Sequence, residues 1–166
     1  MRIKKTREEE IDDMKKSRFG GRVINKMQLK LPALSANEGM ARAAVAAFCA
    51  QLDPMSVELA DVKCAVSEAV TNCIVHGYRD REGIIYINVS LLEGRIAKIE
   101  VKDRGRGIED VKEARQPLFT TDAAGERSGM GFTVMESFTD CIKVTSRVGK
   151  GTSVVMYKVF GGRSDT

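Results

Sequence analysis

The sequence predicts an α+β domain, a two-layer α/β sandwich in which helices cover one face of a mostly antiparallel sheet. Two observations carry this prediction. Segments rich in β-branched residues come in adjacent pairs, residues 84–91 with 96–101 and residues 142–146 with 152–160, and a short glycine-containing turn joins each pair. An amphipathic helical pattern precedes each pair, so we expect helices to pack on the sheet.

The first part of the chain predicts one strand and one helix. Residues 27–32 alternate apolar and polar side chains, which indicates a short strand that a proline ends. Ser35 and Glu38 then stand at capping-box spacing ahead of an alanine-rich segment. We expect a helix from there to about residue 52, where the Asp-Pro pair that follows breaks it.

The second helix is predicted over residues 56–76. Its apolar residues recur at steps of three and four, which is typical of a helix with one buried face, and Gly77 is placed to end it. Residues 103–128 hold several glycines and no strand pattern. A long stretch without regular elements inside a compact domain is usually functional, and residues 129–138 then predict a third helix.

The excess of positive charge is confined to one end of the chain. Residues 1–26 carry 9 Lys and Arg against 5 Asp and Glu, whereas the rest of the chain holds 18 of each. We interpret residues 1–26 as a poorly ordered charged extension, residues 27–160 as the domain and residues 161–166 as a tail. The domain has balanced charge and no Trp, so it gives no indication of a nucleic-acid surface.

Composition also argues against membrane and secreted proteins. No apolar run approaches the roughly 20 residues of a membrane helix, and no apolar stretch follows the basic start as it would in a secretory signal. A cytoplasmic protein is therefore expected. The four cysteines form no C-x-x-C pair and the chain has one histidine, so a zinc site is not expected and buried free thiols are the simpler interpretation.

Three features could carry chemistry, and the first lies on the second predicted helix. Glu68, Asn72 and His76 are spaced by four residues, which places them on one face beside the apolar stripe. A carboxylate there can take a proton from a hydroxyl or a water, and an amide oxygen suits Mg²⁺. A polar edge on a half-buried helix is the alternative, with His76 bonded to backbone at the helix end.

Two glycine-containing motifs form the other features, and either one alone is equally well explained as an ordinary turn. The first is Asp103 with Gly105 and Gly107, in which the glycines let the backbone turn sharply beside a ligand. Its aspartate can accept a hydrogen bond from an amino group such as that of adenine. The second motif opens the third predicted helix, whose free N–H groups favour a phosphate. It consists of Arg127, Ser128, Gly129, Met130 and Gly131.

The order of the three features predicts one nucleotide site. In this interpretation Glu68 activates a hydroxyl or water, Asn72 holds a metal ion and Asp103 reads the base. The helix that starts at Gly129 holds phosphate, and the long stretch before it forms a lid.

These motifs resemble the N-box and the two glycine boxes of the Bergerat ATP-binding fold, which gyrase B, Hsp90, MutL and histidine kinases share. Three segments are similar to one branch, the anti-sigma F factors of spore-forming bacteria. They are Ser-Glu-Ala-Val-Thr-Asn at 67–72, Ala-Arg-Gln-Pro-Leu-Phe-Thr-Thr at 114–121 and Glu-Arg-Ser-Gly-Met-Gly-Phe at 126–132. The resemblance runs from about residue 27 to 160, and the family pattern does not include residues 1–26.

The resemblance implies a homodimeric protein serine kinase that uses ATP and Mg²⁺ and leaves ADP. Such a protein binds and inhibits the sporulation sigma F factor, and it phosphorylates an anti-anti-sigma factor on serine. Glu68 is then the general base and Asn72 the Mg²⁺ ligand. Nucleotide contacts are implied for Asn72, Asp103, Gly105, Gly107, Thr120, Thr121, Arg127, Ser128, Gly129, Met130 and Gly131.

A partner-facing surface is expected on the first strand and first helix, with Arg42, and Arg127 is expected to contact the terminal phosphate or the incoming protein. Three other functions stay open. A histidine kinase core would need an acceptor histidine on a dimerisation helix, and a gyrase-like ATPase would use Glu68 on water. A binding module that keeps nucleotide only for structure would have no use for a base.

Overall fold

The computed structural model describes residues 17–117 and 129–161. Its elements are β1 Val23–Pro32, α1 Ala36–Cys49, α2 Ser56–Asn72, β2 Ile84–Leu92, β3 Ile96–Lys102, α3 Val111–Ala114, α4 Gly131–Phe138, β4 Cys141–Arg147 and β5 Gly151–Val159. The five strands form one sheet in the spatial order β1-β2-β3-β5-β4, and each neighbouring pair is antiparallel. The predicted α+β class and antiparallel sheet are confirmed.

The core lies between the sheet and the helices. On β2 the residues Ile85, Ile87 and Val89 are at most 1% exposed, and they share one cluster with Val62 and Val66 of α2, which are fully buried. Strand residues alternate between the two faces of a sheet, so the intervening residues point away from the helices. We call this second surface the open face. One row across it runs Lys30, Tyr86, Lys102, Ser153 and Thr145.

The described part of the charged N-terminal segment takes part in the fold. Strand β1 begins at Val23, which pairs with Leu92, so the predicted boundary at residue 27 lies inside the strand. Residues 17–19 form a helical turn, in which Phe19 is 6% exposed and stacks on Tyr157 with ring centroids 4.7 Å apart. Backbone pairing with β2 extends β1 through residues whose side chains show no apolar alternation.

The predicted capping box at the start of α1 does not form. Ser35 is the N-cap residue, but its side chain makes no capping hydrogen bond. The Glu38 carboxylate instead accepts a hydrogen bond from the Ser67 hydroxyl of α2, and it lies 3.5 Å from Arg42 Nη1. Glu38 therefore joins two helices, because a partner on α2 competes with the local cap.

The stretch predicted to lack regular elements contains the short helix α3. The Asp110 carboxylate caps it by accepting a hydrogen bond from the Glu113 N–H at 3.0 Å. Residues 118–128 of the predicted lid lie outside the described residues. No helix in the described part of the chain is long and apolar enough to span a bilayer.

Candidate functional site

A cleft of about 720 Å³ lies between α2, the start of α4 and the backbone that follows β3. All of these elements contribute residues that the sequence singled out. The predicted residues that line the cleft are Glu68, Asn72, His76, Asp103, Gly107, Gly129, Met130 and Gly131. The fold thus brings the three separate motifs of the sequence into one cavity.

Glu68 and Asn72 converge on the first residue of α4. A Cβ built on Gly131 would lie 3.2 Å from Glu68 Oε2 and 3.3 Å from Asn72 Oδ1. Two residues earlier, Gly129 has a φ of +65°, in the left-handed region that favours glycine. One glycine therefore lets the chain turn into the helix, and the other lets the start of the helix approach a carboxylate and an amide closely. A phosphate at this helix start would face both side chains.

The predicted second helix changes geometry before its end. Helix α2 stops at Asn72, and Cys73–Tyr78 form a π-helical turn. Such turns occur frequently at functional sites, and here the turn contributes His76 and Gly77 to the lining of the cleft. The role of His76 stays a prediction.

Asp103 is the buried carboxylate of the site. Only 3% of the residue is exposed, and its Oδ1 accepts a hydrogen bond from the Gly105 N–H at 2.8 Å. Burial raises the pKa of Asp103 above its usual value, while hydrogen bonds from the Gly105 N–H and the Cys73 thiol act in the opposite direction. The carboxylate is thus held in one orientation at the wall of the cleft.

Gly77 is a site residue that the sequence analysis interpreted only as a helix end. A Cβ there would lie 2.9 Å from Asp103 Cγ. A Cβ on Gly105 would overlap the carbonyl oxygen of Gly77, which also accepts a hydrogen bond from the Arg106 N–H at 2.9 Å. The position of Gly77 next to His76, one of the three polar residues of the predicted second helix, was the available signal, because a glycine beside a polar cluster also permits close backbone approach.

Gly107 and Tyr78 fix the backbone around Asp103. Gly107 has a φ of +74°, and a Cβ there would overlap the carbonyl oxygen of Arg147. The buried Tyr78 hydroxyl accepts a hydrogen bond from the Arg104 N–H at 2.9 Å and donates one to the Ile84 carbonyl at 2.5 Å. The motif after β3 is therefore tied both to the π-helical turn and to the start of β2.

Arg42 lies outside the cleft, on the exposed side of α1. Its Nη1 is 3.4 Å from the Ser67 hydroxyl and 3.5 Å from Glu38 Oε1. Ser67 precedes Glu68 in the chain, so Arg42 borders the helix that carries the predicted base. Four predicted residues lie outside the described residues: Thr120, Thr121, Arg127 and Ser128.

The polar side chains that line the cleft fit Mg²⁺ better than a metal ion that needs several protein ligands. Among the described residues, no group of three or more His, Cys, Asp or Glu side chains is placed to hold a metal ion. Mg²⁺ keeps several waters and takes phosphate oxygens together with one or two protein ligands. The amide oxygen of Asn72, which lines the cleft beside the start of α4, suits that arrangement.

Comparison with known proteins identifies close sequence relatives. The family model described as "Histidine kinase-like ATPase domain" matches residues 31–158. The chain is 57% identical over 137 residues to an anti-sigma F factor from Caldanaerobacter subterraneus subsp. tengcongensis, covering 82% of this chain and 95% of the relative. It is 54% identical over 136 residues to an anti-sigma F factor from Clostridium acetobutylicum, covering 82% and 94%.

Solved structures agree on the fold. The RsbU and RsbW domains of Rv1364c from Mycobacterium tuberculosis superpose with a TM-score of 0.62 at 19% identity, covering 86% of this chain and 35% of that one. A blue-light activated histidine kinase from Erythrobacter litoralis gives a TM-score of 0.53 at 21% identity, covering 74% and 41%. The sheet with helices on one face is therefore the fold of these structures, and the family match identifies it as that of a histidine kinase-like ATPase domain.

Proposed function

Since this chain belongs to the anti-sigma F factor family of histidine kinase-like ATPases, we propose that it binds a sigma factor and transfers phosphate from ATP to a serine of that factor's antagonist. The observation that carries the proposal is the convergence of Glu68, Asn72 and Gly131 in the cleft that also holds Asp103. Phosphoryl transfer from ATP requires a general base, a metal ligand, a phosphate site and an acceptor for the amino group of adenine.

Nucleotide recognition is assigned to the two glycine motifs. The Asp103 carboxylate lines the cleft, and it accepts a hydrogen bond from the amino group of adenine in addition to the one that the Gly105 N–H donates to its Oδ1. The free N–H groups at the start of α4, after Gly129, bind phosphate oxygens, which the helix dipole also favours. We assign Thr120, Thr121, Arg127 and Ser128 of the lid, with Met130, to the same nucleotide.

Glu68 acts as the general base of the transfer. It takes the proton of the substrate serine hydroxyl as that oxygen forms its bond to the γ-phosphorus. The bond between that phosphorus and the β,γ-bridging oxygen breaks, and ADP leaves with the electron pair. Asn72 would hold Mg²⁺, whose positive charge would offset the negative charge of the phosphate oxygens. Glu68 lines the cleft, where the incoming hydroxyl would have to bind.

Protein partners are assigned to the surface around Arg42. The family name identifies a sigma factor, here sigma F, as the protein that is inhibited, and an anti-anti-sigma factor is the substrate. Arg42 is exposed, and its guanidinium contacts Ser67, the residue that precedes Glu68 in α2. A substrate bound there would reach the cleft, and a homodimer would present two such surfaces. Arg127 is the second partner-binding residue of the proposal.

The experiment is a phosphotransfer assay with γ-labelled ATP, Mg²⁺ and a candidate anti-anti-sigma factor. A matched substrate with its acceptor serine changed to alanine serves as the control. Label on the serine of the first substrate and none on the control is the expected result. Free labelled phosphate without labelled partner would instead assign an ATPase. Tight ATP binding without any turnover would leave a nucleotide-gated sigma-factor binder.

A further inference from the structure

Cys73 is a buried cysteine of the cleft to which the proposed function gives no role. It is 4% exposed, it follows Asn72 directly in the chain, and it lines the same cavity as Asp103. Its thiol donates a hydrogen bond to the Asp103 carboxylate. The cysteine pattern of the sequence predicts thiols that only pack in the core, whereas Cys73 has a polar partner in the site.

Cys49 shows how a core cysteine is placed without such a partner. It is fully buried and belongs to the same hydrophobic cluster as Cys73. Burial alone raises the pKa of Cys49, so no carboxylate in the described part of the chain acts on this thiol. Packing therefore accounts for Cys49, but it does not account for the hydrogen bond between Cys73 and Asp103.

The π-helical turn brings two of its residues against the Asp103 carboxylate. Gly77 follows Cys73 by four residues, a spacing that places both on one side of a helical turn. A Cβ on Gly77 would lie 3.0 Å from each carboxylate oxygen. From the backbone after β3, the Gly105 N–H donates to Oδ1 at 2.8 Å. The carboxylate is therefore bonded from two separate elements and packed closely against a glycine.

The second hydrogen-bond donor restricts the rotation of the carboxylate. The torsion that turns an aspartate carboxylate is soft, so the bond from Gly105 would not by itself fix the plane of the group. A donor on a different element removes that freedom. A carboxylate has about four acceptor sites, so two bonds leave capacity for a third. An acceptor that is already oriented binds a ligand more strongly, because no further ordering is needed on binding.

We propose that Cys73 is a positioning residue for adenine recognition, and that its thiol orients the Asp103 carboxylate toward the amino group of the base. The inference rests on the proposed function, in which Asp103 accepts a hydrogen bond from that group. A thiol is a weak donor, but its bond is strengthened when the acceptor is ionised. Serine at position 73 would keep a donor there, whereas alanine or valine would remove it.

Calorimetric titration with ATP and with purine riboside 5′-triphosphate, which has hydrogen in place of the amino group, tests the proposal. The ratio of the two dissociation constants isolates the contact of the amino group with the protein. Wild type should favour ATP by about tenfold or more. Cys73→Ala should lower that ratio by about threefold to tenfold, through weaker binding of ATP alone. Cys73→Ser should keep it within about twofold of wild type.

Two further variants separate hydrogen bonding from packing. Cys73→Val fills the space of the thiol without a donor, so it should lower the ratio as Cys73→Ala does. Cys49→Ala removes a thiol from the same core cluster but none that bonds to Asp103, so its ratio should equal that of wild type.

Equal losses of affinity for both nucleotides in Cys73→Ala and Cys73→Val would assign a packing role to the thiol and overturn the proposal. So would a wild-type ratio in these two variants, and that result would leave the adenine contact of Asp103 intact. A wild-type protein that binds both nucleotides equally would instead remove the adenine contact itself, and this inference with it.

Discussion

Gly131 at the start of α4 faces the carboxylate of Glu68 on α2, so closely that a Cβ would lie 3.2 Å from Oε2. That distance is tighter than ordinary van der Waals contact, and the carboxylate would have to move away. The glycine therefore leaves room for the carboxylate of the proposed base at the start of α4. Its φ lies outside the left-handed region, so its role is one of space and not of backbone conformation.

Gly131→Ala is accordingly expected to leave the fold intact and to impair phosphotransfer. Alanine favours a helix over glycine by roughly 1 kcal/mol, so thermal stability should not fall. Displacing a reacting group by about 1 Å can cost on the order of 100-fold in rate. The carboxylate has to move by a few tenths of an ångström here, so we expect a loss of roughly 3- to 10-fold in kcat. Gly39→Ala on α1 is the matched control, because a Cβ there meets nothing within 4 Å. Equal rates in the two variants would contradict the assignment.

Asp103→Asn tests recognition of adenine. The amide retains an acceptor for the Gly105 N–H but loses the charge that strengthens the bond to the adenine amino group. A hydrogen bond to a charged group contributes about 1.5–3 kcal/mol, so ATP affinity should fall roughly 10- to 100-fold. Calorimetric titration with ATP and GTP measures the loss and the discrimination between the two bases. Unchanged affinity for ATP would remove Asp103 from the site.

Asp103→Asn is expected to stabilise the nucleotide-free protein although it weakens ATP binding. The folded pKa of Asp103 is raised by burial, so its protonation contributes stability that is fully present below the unfolded pKa and is lost as pH rises through the folded value. At neutral pH the ionised carboxylate of the nucleotide-free protein is a cost that asparagine avoids. Asp103→Asn should therefore raise Tm at neutral pH and lose that advantage in the acidic range. A lower Tm at neutral pH would contradict this account.

Arg42→Glu tests the partner surface. Arg42 is exposed and lies outside the cleft, so ATP affinity should be unchanged. Reversing a charge at a protein interface places like charges together, and we expect binding of the sigma factor or of its antagonist to weaken by about tenfold or more. Lys63→Glu, an exposed cation on α2, is the matched control. Wild-type affinity of Arg42→Glu for both proteins would exclude this surface.

The cysteines should differ sharply in reactivity. Cys64 is exposed, whereas Cys49 and Cys73 are buried. Burial raises the pKa of Cys49 to about 12 and that of Cys73 well above its usual value, so neither forms the reactive thiolate at neutral pH. Iodoacetamide should label Cys64 first and reach the two buried thiols only on unfolding. Early labelling of Cys73 in the native protein would show that the region around Asp103 opens.

Periodicity was sufficient to predict most of the fold. The apolar residues of α2 and the β-branched pairs of β2 and β3 follow single periods, and the structure confirms both kinds of element. The start of β1 could not be predicted in this way. Residues from Val23 onward join the sheet through backbone pairing with β2, and side-chain alternation does not report that interaction.

The sequence was sufficient to predict those residues of the candidate site that were chosen for the chemistry of their side chains. Glu68, Asn72 and Asp103 lie in one cleft as expected. The close approach of Gly77 to Asp103 depends on a π-helical turn, and that turn has no distinct sequence pattern because its residues also suit an α-helix. Glu38 likewise accepts a hydrogen bond from Ser67 on α2 instead of forming its predicted cap. Only the tertiary packing of the two helices determines that partner.

The most direct test of the kinase account compares Glu68→Gln with wild type for ATP binding and for phosphotransfer to the serine of the anti-anti-sigma factor. Loss of a general base costs about 10²–10⁴-fold in rate, whereas an isosteric amide should leave ATP affinity nearly intact. Glu113→Gln, at another carboxylate lining the same cleft, controls for the change of charge. We predict that transfer is lost in Glu68→Gln alone. Transfer at the wild-type rate in Glu68→Gln would contradict the account.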